Sequence, residues 1–273
     1  MGRTILLIRH FRDQDNLFYL NDSPVIETEL SKARTAAAEI LSNLKKFNFN
    51  RIHIIGSNKK RSENTARELA KEVGNTIPVT IKIDRRIREI DQGSYTLPPS
   101  YKPGDYYPPL QDAWGAFFEE TFKQGNLWYR FGDPVKTGNG RYKYPKLATH
   151  FTKLGENQIE FSIRFYSFVI DLYQKYGYNK KVLPVIVTHQ ALTHRFAELG
   201  KIAENIKSGS ITKVANGRLP FLEWDQLKKI DRSRSASVEF GGVALFPLSN
   251  LSSLVGILNP EVRYLKRLLV GRE

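Results

Sequence analysis

Two histidines, two arginines and one carboxylate, spread over four short segments, are the residues of this chain best equipped for chemistry. Arg9-His10 closes the apolar run ILLI. Arg61 stands in SNKKRSENTA (residues 57–66), Glu89 in REIDQG, and His189 ends the run VLPVIVTH. Such a set can position, attack and protonate a phosphomonoester. A histidine that attacks phosphorus must be neutral, and two nearby arginines disfavour its charged form. His10 is then the candidate nucleophile, forming a phosphohistidine that water resolves. Arg9 and Arg61 offer forked donors to the phosphoryl oxygens. His189 can donate to a further oxygen and balance transition-state charge. Glu89 can protonate the leaving oxygen and afterwards activate water. This chemistry calls for no metal and no cofactor. His189 and His194 lie five apart, off the spacing that sets two metal ligands on one helical face.

These groups need a frame, and the hydrophobic pattern supplies one. Ile5–Ile8, Arg51–Gly56, Thr80–Ile83 and Val182–Thr188 are short, apolar and largely β-branched, the pattern of buried strands. Between them run helical periods. One extends from a capping Ser31 to about Phe47, with Ala36, Ile40, Leu41 and Leu44 on its apolar face. A second starts at Ser57 and buries Ala66, Leu69, Ala70 and Val73, with Arg61 and Thr65 four apart on one face. A helix opening at Ser57 would also aim its free amides at an anion, which makes Ser57 a candidate substrate contact. Others are read over Gln158–Tyr176, over Gln190–Leu199 with Gly200 as its stop, and over Pro260–Leu269. One or two strands are read over Val238–Leu248.

Strands alternating with helices predict an α/β fold, a mostly parallel sheet with helices on both faces. Catalytic groups then sit beyond the carboxyl ends of the strands, where His10, Ser57 and His189 all fall. The texture changes between residues 94 and 150. That stretch holds seven of the thirteen prolines and seven of the thirteen tyrosines, with a helix expected around Asp112–Phe122. It is too aromatic for a disordered linker and reads as an ordered cap or lid inserted in a single domain, residues 1–273.

Composition narrows the partners. There are 42 basic and 28 acidic residues, a net +14, which favours anionic partners. No dense basic tract or arginine-rich tail is present, which argues against a nucleic-acid arm. The first apolar run ends at Arg9, so no leader is read, and no stretch approaches the roughly 18 apolar residues of a membrane span. The chain has no cysteine, which excludes disulfides and thiolate metal sites. A cytoplasmic protein acting on a small phosphorylated substrate, away from membranes, is the expectation.

At these motifs the chain resembles the histidine phosphatase superfamily, in its phosphoglycerate-mutase-like branch. That family opens on Arg-His-Gly with an asparagine six residues past the histidine; Arg9, His10 and Asn16 match, with Phe11 in place of glycine. Its second signature is met by Ser57, Arg61, Thr65 and Ala66, and its acid motif by Glu89 with Gly93. Its last is met by His189, followed here by Gln190 rather than glycine. Gly155-Glu156 and Arg164 echo a weaker family feature. The resemblance runs from residue 4 to about 200. It implies a phosphoglycerate-mutase-like fold and His10, Arg9, Arg61, Glu89 and His189 as catalytic residues. Asn16 and Arg12 join Ser57 as candidate substrate contacts; Arg85, Arg130 and Glu156 are outer candidates that spacing does not assign.

Three activities fit this site. The first is a phosphomonoester hydrolase working through phospho-His10. The second is a phosphoglycerate-type mutase, which shares every motif and differs in whether water is kept from the phosphohistidine. The third, motivated by Phe11 and the positive charge, is a phosphate-binding adaptor without turnover.

Overall fold

The computed structural model describes residues 4–11, 25, 27–95, 108–141, 143, 151–179, 181–207 and 243–271. In chain order the first elements are β1 (Thr4–Arg9), α1 (Lys32–Phe47), β2 (Arg51–Gly56), α2 (Lys60–Gly74) and β3 (Val79–Ile83). Then come β4 (Ser94–Tyr95), α3 (Pro108–Phe118), β5 (Phe151–Lys153) and α4 (Gln158–Tyr176). The last are β6 (Val182–Thr188), α5 (Gln190–Lys207), β7 (Val243–Pro247) and α6 (Leu248–Val270). They fall into two compact units. One is Met1–Asp13, Asp22–Glu89 and Ile163–Glu273; the other is Gln14–Asn21 with Ile90–Ser162.

The first unit is built on a five-stranded sheet in the order β3-β2-β6-β1-β7, parallel except for β7. Strand pleat sends alternate residues to opposite faces. Leu6, Ile8, Ile52, Ile54, Val185 and Val187 point to one side, where they form a core with Ala36 and Ile40 of α1 and Ala66 and Leu69 of α2. On the other side Phe246 of β7 meets Phe196 of α5, which in turn meets Phe165 of α4. Register fixes the functional edge. Arg9 pairs with Thr188, Gly56 with Val187 and Ile83 with Gly56, so the carboxyl ends of four parallel strands stop level.

The four parallel strands lie where the hydrophobic runs predict them; helix ends differ. Ser31 does not cap α1: it ends a 3₁₀ turn, Glu27–Ser31, with helical φ −58° and ψ −30°, and makes no capping bond. α2 opens at Lys60 rather than Ser57, because the Ser57 hydroxyl accepts from the Lys59 amide at 3.3 Å and holds a local turn. Gly200 does not stop α5, which runs on to Lys207. Leu199, Ile202 and Ala203 are buried there, and burial of three side chains outweighs the ~1 kcal/mol helix cost of one glycine. Pro260 lies inside α6 rather than opening it. Leu254, Leu258, Val262 and Leu265 continue the buried stripe across it, and the carbonyl deprived of its partner belongs to the exposed Gly256. Of the strand read over Val238–Leu248, the part from Val243 to Pro247 is a strand; 238–242 lies outside the described residues.

The second unit includes most of the proline- and tyrosine-rich stretch and has an aromatic core of its own. Phe117 and Phe131 pack tilted at 5.7 Å, and Trp114 meets Phe131 edge-on at 4.9 Å. The expected helix near 112–122 is α3, continued by a π-helical turn over Glu119–Lys123. Gly93 sits at φ +77°, where an added Cβ would stand 2.2 Å from the Lys153 carbonyl oxygen. The glycine four residues past Glu89 is therefore obligatory for backbone reasons. Asn157 and Glu160 form a reciprocal capping box at the start of α4, at 2.9 and 3.0 Å.

Candidate active site

His10 and His189 follow β1 and β6, adjacent parallel strands, and both are buried. Their ring centroids are 5.0 Å apart. Burial, then the Arg61 charge, then Arg9, drive His10 well below the ordinary imidazole value of 6.5, against the opposing pull of its bond to Phe11. That bond sets the tautomer. Nδ1 of His10 lies 2.6 Å from the Phe11 carbonyl oxygen, which can only accept. Nδ1 therefore carries the proton, and the lone pair is on Nε2.

His189 is held at both nitrogens. Nε of Arg61 donates to Nδ1 at 3.4 Å, so Nε2 carries the proton and donates to the Ser57 hydroxyl at 2.7 Å. Burial first, then Arg61, His10, Lys59 and Arg164, keep this ring neutral too. Ser57 was expected to offer helix amides to the substrate. Instead its own amide donates to the Ser62 hydroxyl at 2.9 Å, and its hydroxyl fixes His189.

Hydroxyls from α2 stitch the strand ends together. Ser62 donates to the Val187 carbonyl at 2.8 Å. Thr65 accepts the Phe11 amide at 2.9 Å and donates to the Arg61 carbonyl at 2.8 Å. A small polar residue at each position is what lets a helix lie against strand ends whose backbone groups have left the sheet ladder. Phe11, which replaces a family glycine, is fully buried among Ile8, Ala37 and Val187 of the core. Its ring fills the core beneath the site.

Glu89 follows a 3₁₀ turn, Arg85–Ile87, capped by Asp84, whose carboxylate accepts the Arg86 amide at 3.0 Å. Thr188, the residue before His189, donates to the Ile87 carbonyl at 2.9 Å, so the acid's segment is tied to the histidine's strand. Arg164 donates to the carbonyls of Arg86, Arg88 and Glu89. No pattern of residue types announced these four bonds, because backbone carbonyls carry no sequence signature. Arg85 is exposed. In the second unit, Arg130 pairs with Glu160 at 2.5 Å, and the buried Glu156 accepts the Asp91 amide at 2.8 Å. Arg12 and Asn16 lie outside the described residues.

Comparison with known proteins follows the same line. The profile of the histidine phosphatase superfamily (branch 1) matches residues 5–137, a span holding His10, Arg61 and Glu89. No curated protein sequence matches the chain. Among solved structures, a mycobacterial glucosyl-3-phosphoglycerate phosphatase is 19% identical over 72% of this chain and 81% of its own, with a TM-score of 0.43. A phosphoglycerate mutase from Bacillus anthracis is 14% identical over 92% of this chain and 96% of its own, with a TM-score of 0.46. The family profile, the motifs and the mostly parallel five-stranded sheet agree: this chain resembles the histidine phosphatase superfamily.

Proposed function

We propose that the chain is a phosphomonoester hydrolase of the histidine phosphatase type, acting through a phosphohistidine on a small phosphorylated substrate in the cytoplasm. The observation that carries this reading is the state of His10: buried, neutral, and with the lone pair fixed on Nε2 by the Phe11 carbonyl. Nε2 attacks phosphorus while the bond from phosphorus to the ester oxygen breaks. The departing oxygen takes its proton from the Glu89 carboxylic acid. Arg9 and Arg61 meet the charge on the phosphoryl oxygens, and His189 joins them when its Nε2–H turns from the Ser57 hydroxyl to a phosphoryl oxygen. In the second step water attacks the phosphohistidine, Glu89 accepts the water's proton, and the N–P bond breaks to return His10 and release phosphate. The insertion at 94–150 is assigned the selection of substrate.

Burial of Phe11 in the core supports turnover over the adaptor reading, because the substitution that motivated an inactive site places its ring among core side chains. The test is phosphate release from 4-nitrophenyl phosphate in the presence of a chelator, followed by trapping of a 32P-labelled enzyme. His10→Ala is expected to lower release at least about a hundredfold and to abolish the label. Equal release from His10→Ala would end the reading. A phosphoglycerate isomerised without release of phosphate would point to the mutase.

A further inference from the structure

Glu89 occupies a weakly determined piece of backbone. The 3₁₀ turn ends at Ile87, and Arg88 is extended at φ −70° and ψ 160°. Neither helix nor strand holds the acid's own residue, yet a general acid must be held within hydrogen-bond reach of the oxygen it protonates. Side chains grip its carbonyls. Four successive carbonyls, from Arg86 to Glu89, each accept one. Nη1 of Arg164 donates to Arg86 at 2.7 Å and to Arg88 at 2.9 Å. Nη2 of Arg164 donates to Glu89 at 3.1 Å, and the Thr188 hydroxyl donates to Ile87 at 2.9 Å.

Two further residues of the same helix face lie near this segment without touching the four carbonyls. Arg164, Phe168 and Asp171 follow the spacing i, i+4, i+7 along α4. Asp171 accepts from the Arg86 guanidinium at 2.6 Å, and that guanidinium lies 5.6 Å from the centre of the Phe168 ring. Asp171 is exposed, so its ion pair contributes little. Arg164 is half-buried and its planar fork spans three acceptors, which a lysine cannot reproduce.

We propose that Arg164 is a positioning residue for catalysis: by clasping the Arg86, Arg88 and Glu89 carbonyls it sets where Glu89 stands relative to the His10–His189 pair. This rests on the reading of Glu89 as the general acid. The charge of Arg164 also acts on His189, an effect that Arg164→Lys retains, whereas the clasp acts through the placement of one carboxyl group. Loss of Arg164 therefore harms a reaction that needs proton delivery and spares one that does not.

The test is single-turnover phosphorylation of the enzyme by two substrates, 4-nitrophenyl phosphate, which leaves without a proton, and glycerol phosphate, which needs one. Glu89→Gln, Arg164→Gln, Arg164→Lys, Asp171→Asn and the Glu89→Gln/Arg164→Gln double variant are compared, with orthovanadate affinity reporting an intact phosphate site. Both Arg164 variants are expected to slow glycerol phosphate at least about tenfold more than the aryl ester, in the manner of Glu89→Gln. The double variant is expected to fall within about threefold of Glu89→Gln alone, because the two residues act through one group. Asp171→Asn should leave both rates unchanged. Arg164→Lys keeps the charge and most of the bulk, so it carries the comparison if the glutamine variant does not fold. Equal slowing of both substrates, multiplicative effects in the double variant, or full rescue by lysine would overturn the inference. If Glu89→Gln itself shows no preference between substrates, the general-acid reading fails, and this inference with it. If Glu89→Gln discriminates and the Arg164 variants do not, the positioning role alone is lost.

Discussion

At the scale of single residues, a large side chain beside a nucleophile is tolerated when the core has room for it. Phe11 keeps the two backbone contacts that matter, its carbonyl to His10 and its amide to Thr65, while its ring is fully buried. The position thus serves stability through the side chain and chemistry through the main chain. Phe11→Ala removes a buried ring and leaves a cavity, a change that costs about 3–5 kcal/mol. Denaturant unfolding should show that loss in full. Phosphate affinity of the folded fraction should change far less, since the ring belongs to the buried core. An unfolding free energy within 1 kcal/mol of the parent, roughly the size of a surface effect, would mean the ring is not in the core.

Among elements, α2 does the joining. Its inward face passes from hydroxyls, Ser62 and Thr65, to hydrocarbon, Ala66, Leu69 and Val73, so it binds strand ends at one end and sheet at the other. Thr65→Val keeps the shape of the side chain but strands the buried Phe11 amide, at a cost of about 1–3 kcal/mol. Thr65→Ser is expected to recover most of that loss, as measured by thermal unfolding; recovery by valine and not serine would show that the methyl, not the hydroxyl, matters. The strands and the two histidines they deliver were legible because short β-branched runs have few alternatives and register follows from them. Helix ends were less so. Ser57 reads as a helix start by type, but its hydroxyl is drawn away by His189, a partner 132 residues later in the chain. Gly200 and Pro260 read as punctuation, and long apolar stripes overrode both. Arg164 has a recognisable place before a helix, yet nothing in residue types says that its partners are three carbonyls.

For the whole molecule, the arrangement that makes two histidines useful also makes folding sensitive to pH. In the folded protein both rings resist protonation, His10 and His189 each lying well below 6.5, with burial the first cause and Arg61 the next. In the unfolded chain they return to the ordinary value. Above about pH 6.5 both states are neutral at these sites, and they add nothing to the pH dependence. As pH falls below that value the unfolded chain takes up two protons that the folded protein refuses, so stability falls with pH. Each group contributes a slope approaching 1.4 kcal/mol per pH unit once well below 6.5, and the two together twice that. The window is separate from that of Asp84. Burial works against its ionised form, but hydrogen bonds and charge from Arg86 prevail, so its carboxyl lies below the ordinary 3.8 and its effect comes at much lower pH. His53, lowered by burial and by Lys175 and Arg51, adds to the histidine effect with the same sign. Urea unfolding at pH 7.5, 6.5 and 5.5 should therefore show little change over the first step and a loss of roughly 1–3 kcal/mol over the second. His10→Gln and His189→Gln should each remove about half of what remains after the smaller His53 share, because glutamine takes up no proton in either state. A stability that holds level to pH 5.5 would mean that the histidine pair is charged, or reached by water, in the folded protein. The neutral nucleophile required for attack on phosphorus would then have to come from some other arrangement of the same site.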